Sequence, residues 1–220
     1  MVFVLYLMKR FIFLIFLSVS LLNSKSIILT KNDIKNIDNS YNKKAIFLRL
    51  QGYVKLKRKI KDFDLEKKLN YVNSFYNRIL PIDDSKKYSV DDHWATPKEF
   101  LIEGKGDCED YAIAKYFTLL EVGIPKDKLY FAVVKVKAET NYHMVLLYLE
   151  NKKAMPLVLD NLSFKILPFD KRKKLEPKVI FNEKEAFILK NKKISKKVKI
   201  DWGKVNKWEL LLDRVYTKNE

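Results

Sequence analysis

Gly104-Lys105-Gly106-Asp107-Cys108-Glu109-Asp110-Tyr111 carries the single cysteine of a 220-residue chain and leads into its most apolar helical stretch. Asp107 is a residue type that caps helices, and Asp110 stands three positions on in the manner of a capping box. The spacing therefore predicts Cys108 in a first helical turn. From Tyr111 to Leu120 only Lys115 and Thr118 are polar, and Gly123 and Pro125 end the pattern. A helix apolar on nearly every side is a core helix. Gly104 and Gly106 allow the backbone a tight approach to it. A thiol at its start faces unpaired backbone N–H groups and the positive end of the helix dipole, which favour thiolate and can hold a developing oxyanion. That is the environment of a nucleophile; the alternative reading of a lone cysteine is a small buried hydrophobe.

Upstream, residues 31 to 59 are expected to be helical scaffold, with Ala45, Phe47, Leu48, Leu50, Tyr53, Val54 and Leu56 set among lysines. A second helix is capped by Asp64, carries Leu65, Leu69, Val72, Tyr76 and Ile79 on one stripe, and stops at Pro81. After a polar connector from Ile82 to Val90, Thr96 caps a short helix with Pro97 first and Glu99 third. That helix delivers the chain to Gly104.

Downstream, Leu129 to Val136, Tyr142 to Glu150 and Leu157 to Leu162 are rich in valine, leucine and aromatics and read as an antiparallel meander. With a two-residue turn at Asn151-Lys152, His143 lies directly across from Asp160. Directly opposed residues on one face have Cβ atoms about 4.5–5.5 Å apart, close enough for a carboxylate to orient an imidazole. The alternative is a half-buried histidine and an aspartate at a strand end. The other histidine, His93, lies in a polar loop with no partner evident in the sequence.

Lys9-Arg10, the apolar run Phe11 to Leu22 and the polar Asn23-Ser24-Lys25-Ser26 have the three-part form of a secretory signal peptide, so residues 1–25 are expected to direct export. Residues 26–220 then form one domain of ordinary size. One cysteine allows no internal disulfide, and an unpaired thiol in an oxidising compartment is a reactive one. Loss of residues 1–25 removes Lys9, Arg10 and Lys25 and no acid, lowering the formal net charge from +17 to +14. The basic residues are scattered, without zinc-finger spacing or an RNA-binding pattern, so nucleic acid is not an expected partner. A lysine-rich solvated surface, attracted to acidic headgroups or an acidic partner, accounts for them.

Asp107, Glu109 and Asp110 crowd Cys108 with negative charge, which opposes thiolate formation. Two resolutions are open: the acids cap the helix, or a cation neutralises them. Carboxylate oxygens without neighbouring cysteine or histidine ligands suit Ca²⁺ rather than Zn²⁺.

A thiol at a helix start, a histidine on the following sheet and an acid beside it occur in the order used by cysteine hydrolases and transglutaminases. Trp94-Ala95-Thr96-Pro97, Gly106-Asp107-Cys108-Glu109-Asp110-Tyr111-Ala112-Ile113-Ala114-Lys115-Tyr116, His143-Met144-Val145-Leu146 and Leu159-Asp160-Asn161-Leu162 resemble the bacterial transglutaminase-like cysteine proteinases of the LapG type, over about Leu65 to Pro168. The resemblance implies an α+β, papain/transglutaminase-like fold: a helical N-terminal part and a central buried helix packed on an antiparallel sheet. It implies Cys108 as nucleophile, His143 as general base and acid, Asp160 as its orienter, and Ca²⁺ held by Asp107 and Glu109. It further implies a periplasmic endopeptidase that clips the N-terminal region of a large surface adhesin, releases cells from biofilm, and is sequestered by an inner-membrane cyclic di-GMP receptor of the LapD type. The same triad also serves transglutaminases and amidases acting on glutamine side chains or cell-wall peptides. Two features depart from the family: His93 stands where an aromatic more often precedes Trp94, and the very basic C-terminal third after Lys171 does not align with the family's motifs.

Overall fold

The computed structural model describes residues 26–82, 93–137, 139, 141–203 and 205–216. The expected signal peptide and most of the expected polar connector before His93 lie outside these residues.

Local signals produce the helices. Helix α1 (Lys31–Asn39) opens on a Thr30/Asp33 capping box, and Ser40 in extended conformation ends it, so the single helix expected over 31–59 is two. Helix α2 (Lys43–Ile60) buries Ile46, Leu50, Tyr53, Val54, Leu56 and Ile60. Helix α3 (Leu65–Tyr76) starts at Asp64, whose side chain accepts from Lys67 N at 2.9 Å. Its stripe Leu69, Val72 and Tyr76 is buried. Helix α4 (Pro97–Glu103) has the capping box expected of Thr96 and Glu99, with bonds of 3.2 and 2.8 Å, and ends on Gly104 at φ 70°. A short parallel pair, β1 (Leu80–Pro81) with β2 (Lys105–Gly106), then brings the chain to helix α5 (Cys108–Glu121).

Helix α5 is a core helix, as its composition predicts: residues 110–119 are all buried, Lys115 and Thr118 included. Thr118 is satisfied by Ala114 O and Tyr76 Oη, each at 2.7 Å. Lys115 Nζ has no hydrogen-bond partner among the described residues, lies 5.8 Å from the Tyr111 ring centre, and is pushed by burial down to about 7, an effect Asp160 partly opposes.

The helix packs on a seven-stranded sheet of order β6-β5-β4-β3-β7-β8-β9. Three of its strands were expected: β3 (Leu129–Val136), β4 (Tyr142–Tyr148) and β5 (Leu157–Asp160). Strand β6 (Ser163–Pro168) extends one edge; β7 (Leu175–Phe181), β8 (Ala186–Lys190) and β9 (Lys193–Val198) extend the other. All pairings in this sheet are antiparallel. Alternation along the strands serves two cores, since Phe131, Leu146, Tyr148 and Leu159 join α5 while Tyr130, Val145, Leu147 and Val158 face a second cluster. The C-terminal helix α6 (Lys207–Tyr216) sets Trp208 against Tyr116 and Phe131, ring centres 5.6 and 5.3 Å away. The basic C-terminal third is thus part of the sheet and core.

Gly106 is a tight point of the approach to α5. A Cβ there would run into the Asp110 carboxylate and the Phe100 ring, and neither can retreat because both residues are fully buried. Gly106→Ala is expected to destabilise the protein by about 1–3 kcal/mol through overpacking, read as a lowered denaturation midpoint.

Candidate active site

Cys108 occupies the first position of α5, as the sequence predicts, but the acids around it do not act as expected. Asp107 is the N-cap residue, yet its side chain makes no capping bond. The expected capping box with Asp110 does not form. Asp110 turns away from the helix end and accepts from Ala95 N at 2.7 Å, fully buried. Sequence spacing allowed both arrangements; the neighbouring Trp94–Thr96 segment supplies a donor that the helix end would otherwise supply. A capping bond from the Asp107 side chain therefore does not account for the acids around the thiol.

Glu109 lies on the thiol itself: Cys108 Sγ is 2.9 Å from Glu109 Oε2 and accepts from Met144 N at 3.2 Å. Burial first, and then the Glu109 carboxylate, push the thiol well above its ordinary range, while the Met144 N–H opposes them. In this arrangement the sulfur holds its proton, directed at a carboxylate. A hard cation fits the donor set, because Asp107 and Glu109 offer carboxylate oxygens on either side of Cys108 and the local charge is negative. Among the described residues no group of three or more His, Cys, Asp or Glu side chains is gathered as a metal site. Two carboxylates would have to be completed by backbone carbonyls and water.

His143 and Asp160 are together, with Nε2 2.8 Å from Oδ1, and both are buried. The register that brings them there differs from the expected one. Leu146 pairs with Leu159 and Tyr148 with Leu157, a displacement of two residues from direct opposition of His143 and Asp160. The connection is not a tight turn at Asn151-Lys152. Asn151 Oδ1 accepts from Lys153 N and Ala154 N, at 2.9 and 3.0 Å, and starts a longer loop before Leu157. A shift of two preserves which face each residue occupies, so the partners become diagonal neighbours, still within reach of an imidazole. An irregularity between Val158 and Asp160, followed by the Asp160–Ser163 pairing, turns the acid at the strand end.

Asp160 is more elaborately held than the sequence suggested. Its Oδ1 also accepts from Leu162 N at 2.9 Å, Asn77 Nδ2 donates to its carbonyl at 2.7 Å, and Arg172 Nη2 pairs with Oδ2. Burial would raise this carboxyl, but the bonds from His143 and Leu162 and the Arg172 charge hold it below the usual carboxylate range. Arg172 escaped sequence reasoning because it sits in a run of basic residues, Lys171 to Lys174, that reads as solvated surface.

With Nε2 committed to Asp160, Nδ1 is the ring nitrogen left for proton transfer with a thiol. The thiol and imidazole are not bonded to each other here: the bonds of Cys108 go to Glu109 and Met144 N, that of His143 to Asp160. Met144 follows His143 directly on β4, so the strand that carries the imidazole also meets the sulfur. His93 does have a partner: Arg214 of α6 lies 3.1 Å from its Nε2, bonds Glu99 at 2.9 Å and reaches Trp94 O. It helps to tie the C-terminal helix to the start of α4.

A sequence model described as bacterial transglutaminase-like cysteine proteinase matches residues 53–174. Among solved structures, Legionella pneumophila LapG in a calcium-bound form is 32% identical, with a TM-score of 0.68 over 82% of this chain and 95% of that one. The EGTA-treated form of the same protein gives 32% identity and a TM-score of 0.68, over 82% of this chain and 94% of that one. A comparison with curated protein sequences finds no match. On the family match over more than half of its length and on its likeness to LapG, the chain belongs to the bacterial transglutaminase-like cysteine proteinases.

Proposed function

We propose that this protein is a calcium-dependent endopeptidase of the periplasm that cleaves the N-terminal region of a large surface adhesin and so controls adhesin release and biofilm dispersal. The observation that carries the chemistry is the buried His143–Asp160 pair at 2.8 Å on the strands beside the Cys108 helix start. The setting is supported by the export-type N-terminal segment and by kinship to LapG, whose structures include calcium-bound and EGTA-treated forms. A LapD-type cyclic di-GMP receptor at the inner membrane is the regulatory partner this reading entails, and the basic surface suits an anionic membrane nearby.

In the proposed reaction the Cys108 sulfur attacks the scissile carbonyl carbon while its proton passes to His143 Nδ1. The oxyanion forms at the N-terminal end of α5, where backbone N–H groups converge. His143 then gives the proton to the departing amine as the C–N bond breaks, leaving an acyl-thioester on Cys108. Water adds to the thioester with its proton taken by His143, and collapse restores the thiol and releases the new carboxylate. Asp160 holds the imidazole so that Nδ1 faces the sulfur, and balances the imidazolium charge. Bound Ca²⁺ would take up the Asp107 and Glu109 carboxylates and cancel their charge beside the thiol.

Incubating the purified protein with adhesin N-terminal fragments tests the reading. Discrete cleavage products are expected; cross-linked species instead would establish a transglutaminase, and an unaltered bound fragment a non-enzymatic module. Asp160→Asn should lower kcat by about 10³–10⁴-fold while the circular dichroism spectrum is unchanged. An amide that accepts from His143 and Leu162 N must turn its NH₂ toward Arg172, donor against donor, and it carries no charge for the imidazolium. Activity within tenfold of wild type would remove Asp160 from the catalytic group.

A further inference from the structure

We infer that Arg172 is a positioning residue of this site: its guanidinium clamps the far oxygen of Asp160 so that the near oxygen stays on His143. The inference rests on the reading of Cys108, His143 and Asp160 as the catalytic group.

The Asp160 side chain is fully buried, and its two oxygens have separate duties. Oδ1 takes the imidazole and Leu162 N; Oδ2 takes Arg172 Nη2. A buried carboxylate left with bonds on one oxygen can rotate about its Cβ–Cγ bond and is poorly compensated in charge whenever the imidazole is neutral. Three cationic or titratable side chains face Asp160: His143 from β4, Lys115 from α5 and Arg172 from the turn after β6. His143 carries charge only in part of the catalytic cycle. Lys115 makes no hydrogen bond to Asp160, and burial disfavours its charge. The guanidinium is the one group of the three that is both bonded to Oδ2 and permanently charged.

The C-terminal hairpin holds Arg172 in place. Its N–H donates to Phe169 O at 3.1 Å and its carbonyl accepts from Leu175 N at 3.0 Å. Lys192 Nζ crosses from the β8–β9 turn to both Arg172 O and Phe169 O, at 2.8 and 3.0 Å. That turn is Asn191-Lys192, at φ 51° and 63°, the left-handed pair that closes a two-residue hairpin. The turn lies beyond the family-matched residues 53–174, so strands outside the matched region fasten a residue that touches the acid of the triad.

The chain has only two histidines, so ¹⁵N-labelled full-length protein resolves the His143 ring nitrogens by NMR, with His93 as internal control. In the wild type, neutral His143 is expected as the single tautomer protonated on Nε2. Arg172→Gln is expected to give a mixture of tautomers, because the far oxygen of Asp160 loses its clamp and the carboxylate no longer offers the ring one fixed acceptor. Arg172→Lys, which keeps the charge but not the planar fork, should still give a mixture, with more of the wild-type tautomer than Arg172→Gln. Lys192→Ala should shift the same signals in the same direction by a smaller amount. A merely structural Arg172 would lower the melting temperature and leave the His143 tautomer as in wild type; that result overturns the inference. If Arg172→Gln does not fold, the tautomer in Arg172→Lys decides, and an unmixed wild-type tautomer there is equally fatal. Cleavage retained by Cys108→Ala would instead defeat the triad reading, an outcome these spectra do not depend on.

Discussion

Cys108→Ala should abolish peptide-bond cleavage, by about 10⁶-fold in kcat if the sulfur is the nucleophile, with folding stability changed by no more than about 1 kcal/mol. The two expectations come from different parts of the structure. Rate depends on the sulfur because no other cysteine exists in the chain and because the His143–Asp160 pair has no function without a nucleophile to serve. Stability should hardly change because the variant loses one atom at a helix start, where an alanine continues α5 at good propensity. The lost contacts are the Met144 N–H bond and the bond to Glu109, and the second is one that keeps the thiol protonated. The check is a paired measurement of cleavage on adhesin fragments and of urea denaturation on the same preparation. Retained cleavage with an unchanged midpoint would remove the nucleophile assignment. Lost cleavage accompanied by a large drop in stability would show that the loss of activity came from the fold.

Chelation should have an effect of similar size. With the Glu109 carboxylate 2.9 Å from the sulfur and Asp107 next to it in the chain, the thiol is half-buried, negatively surrounded and protonated, the opposite of what attack on a carbonyl requires. EGTA is expected to stop cleavage, and Ca²⁺ to restore it where Mg²⁺ does not. Two carboxylates completed by carbonyls and water suit the larger ion of flexible geometry better than a strict octahedron at about 2.1 Å. Asp107→Ala and Glu109→Ala should each lose calcium binding in calorimetry. The two need not behave alike toward the thiol: Glu109→Ala also removes the group that holds its proton, so some calcium-independent reactivity toward a small alkylating agent is expected there and not in Asp107→Ala. Full activity in metal-free protein would falsify the calcium reading and leave Glu109 as an unexplained brake on its own nucleophile.

The fate of the three acids around Cys108 shows where sequence reasoning reaches its limit. That Cys108 begins a helix was legible, because helix starts are written within four residues: the same local logic correctly gave Thr96 with Glu99 and Asp64 at their caps. That the N-cap acid makes no capping bond, which acid binds elsewhere and which lies on the thiol was not legible, because Asp110 is claimed by Ala95 N, fifteen residues away in sequence, and spacing carries no record of such a competitor. Similarly, the pairing of His143 with Asp160 survived an error in register. The pleat repeats every two residues, so a displacement of two left both side chains on one face, whereas the length of the loop after Tyr148 depended on turn chemistry at Asn151 that the pattern of apolar residues does not encode.

By itself the sequence determined the core helix, the three strands that follow it, the cysteine at the helix start, and the histidine and acid beyond, since apolar periodicity and capping act over a few residues and the four motifs lie in one order. Only the tertiary structure decided that the lysine-rich C-terminal third completes a seven-stranded sheet, that His93 belongs to Arg214 and Glu99, and that Arg172 belongs to Asp160. The physical reason is the same in each case. A cation on the surface and a cation aimed at a buried carboxylate are identical in sequence, and only long-range packing, which sets what each one faces, tells them apart.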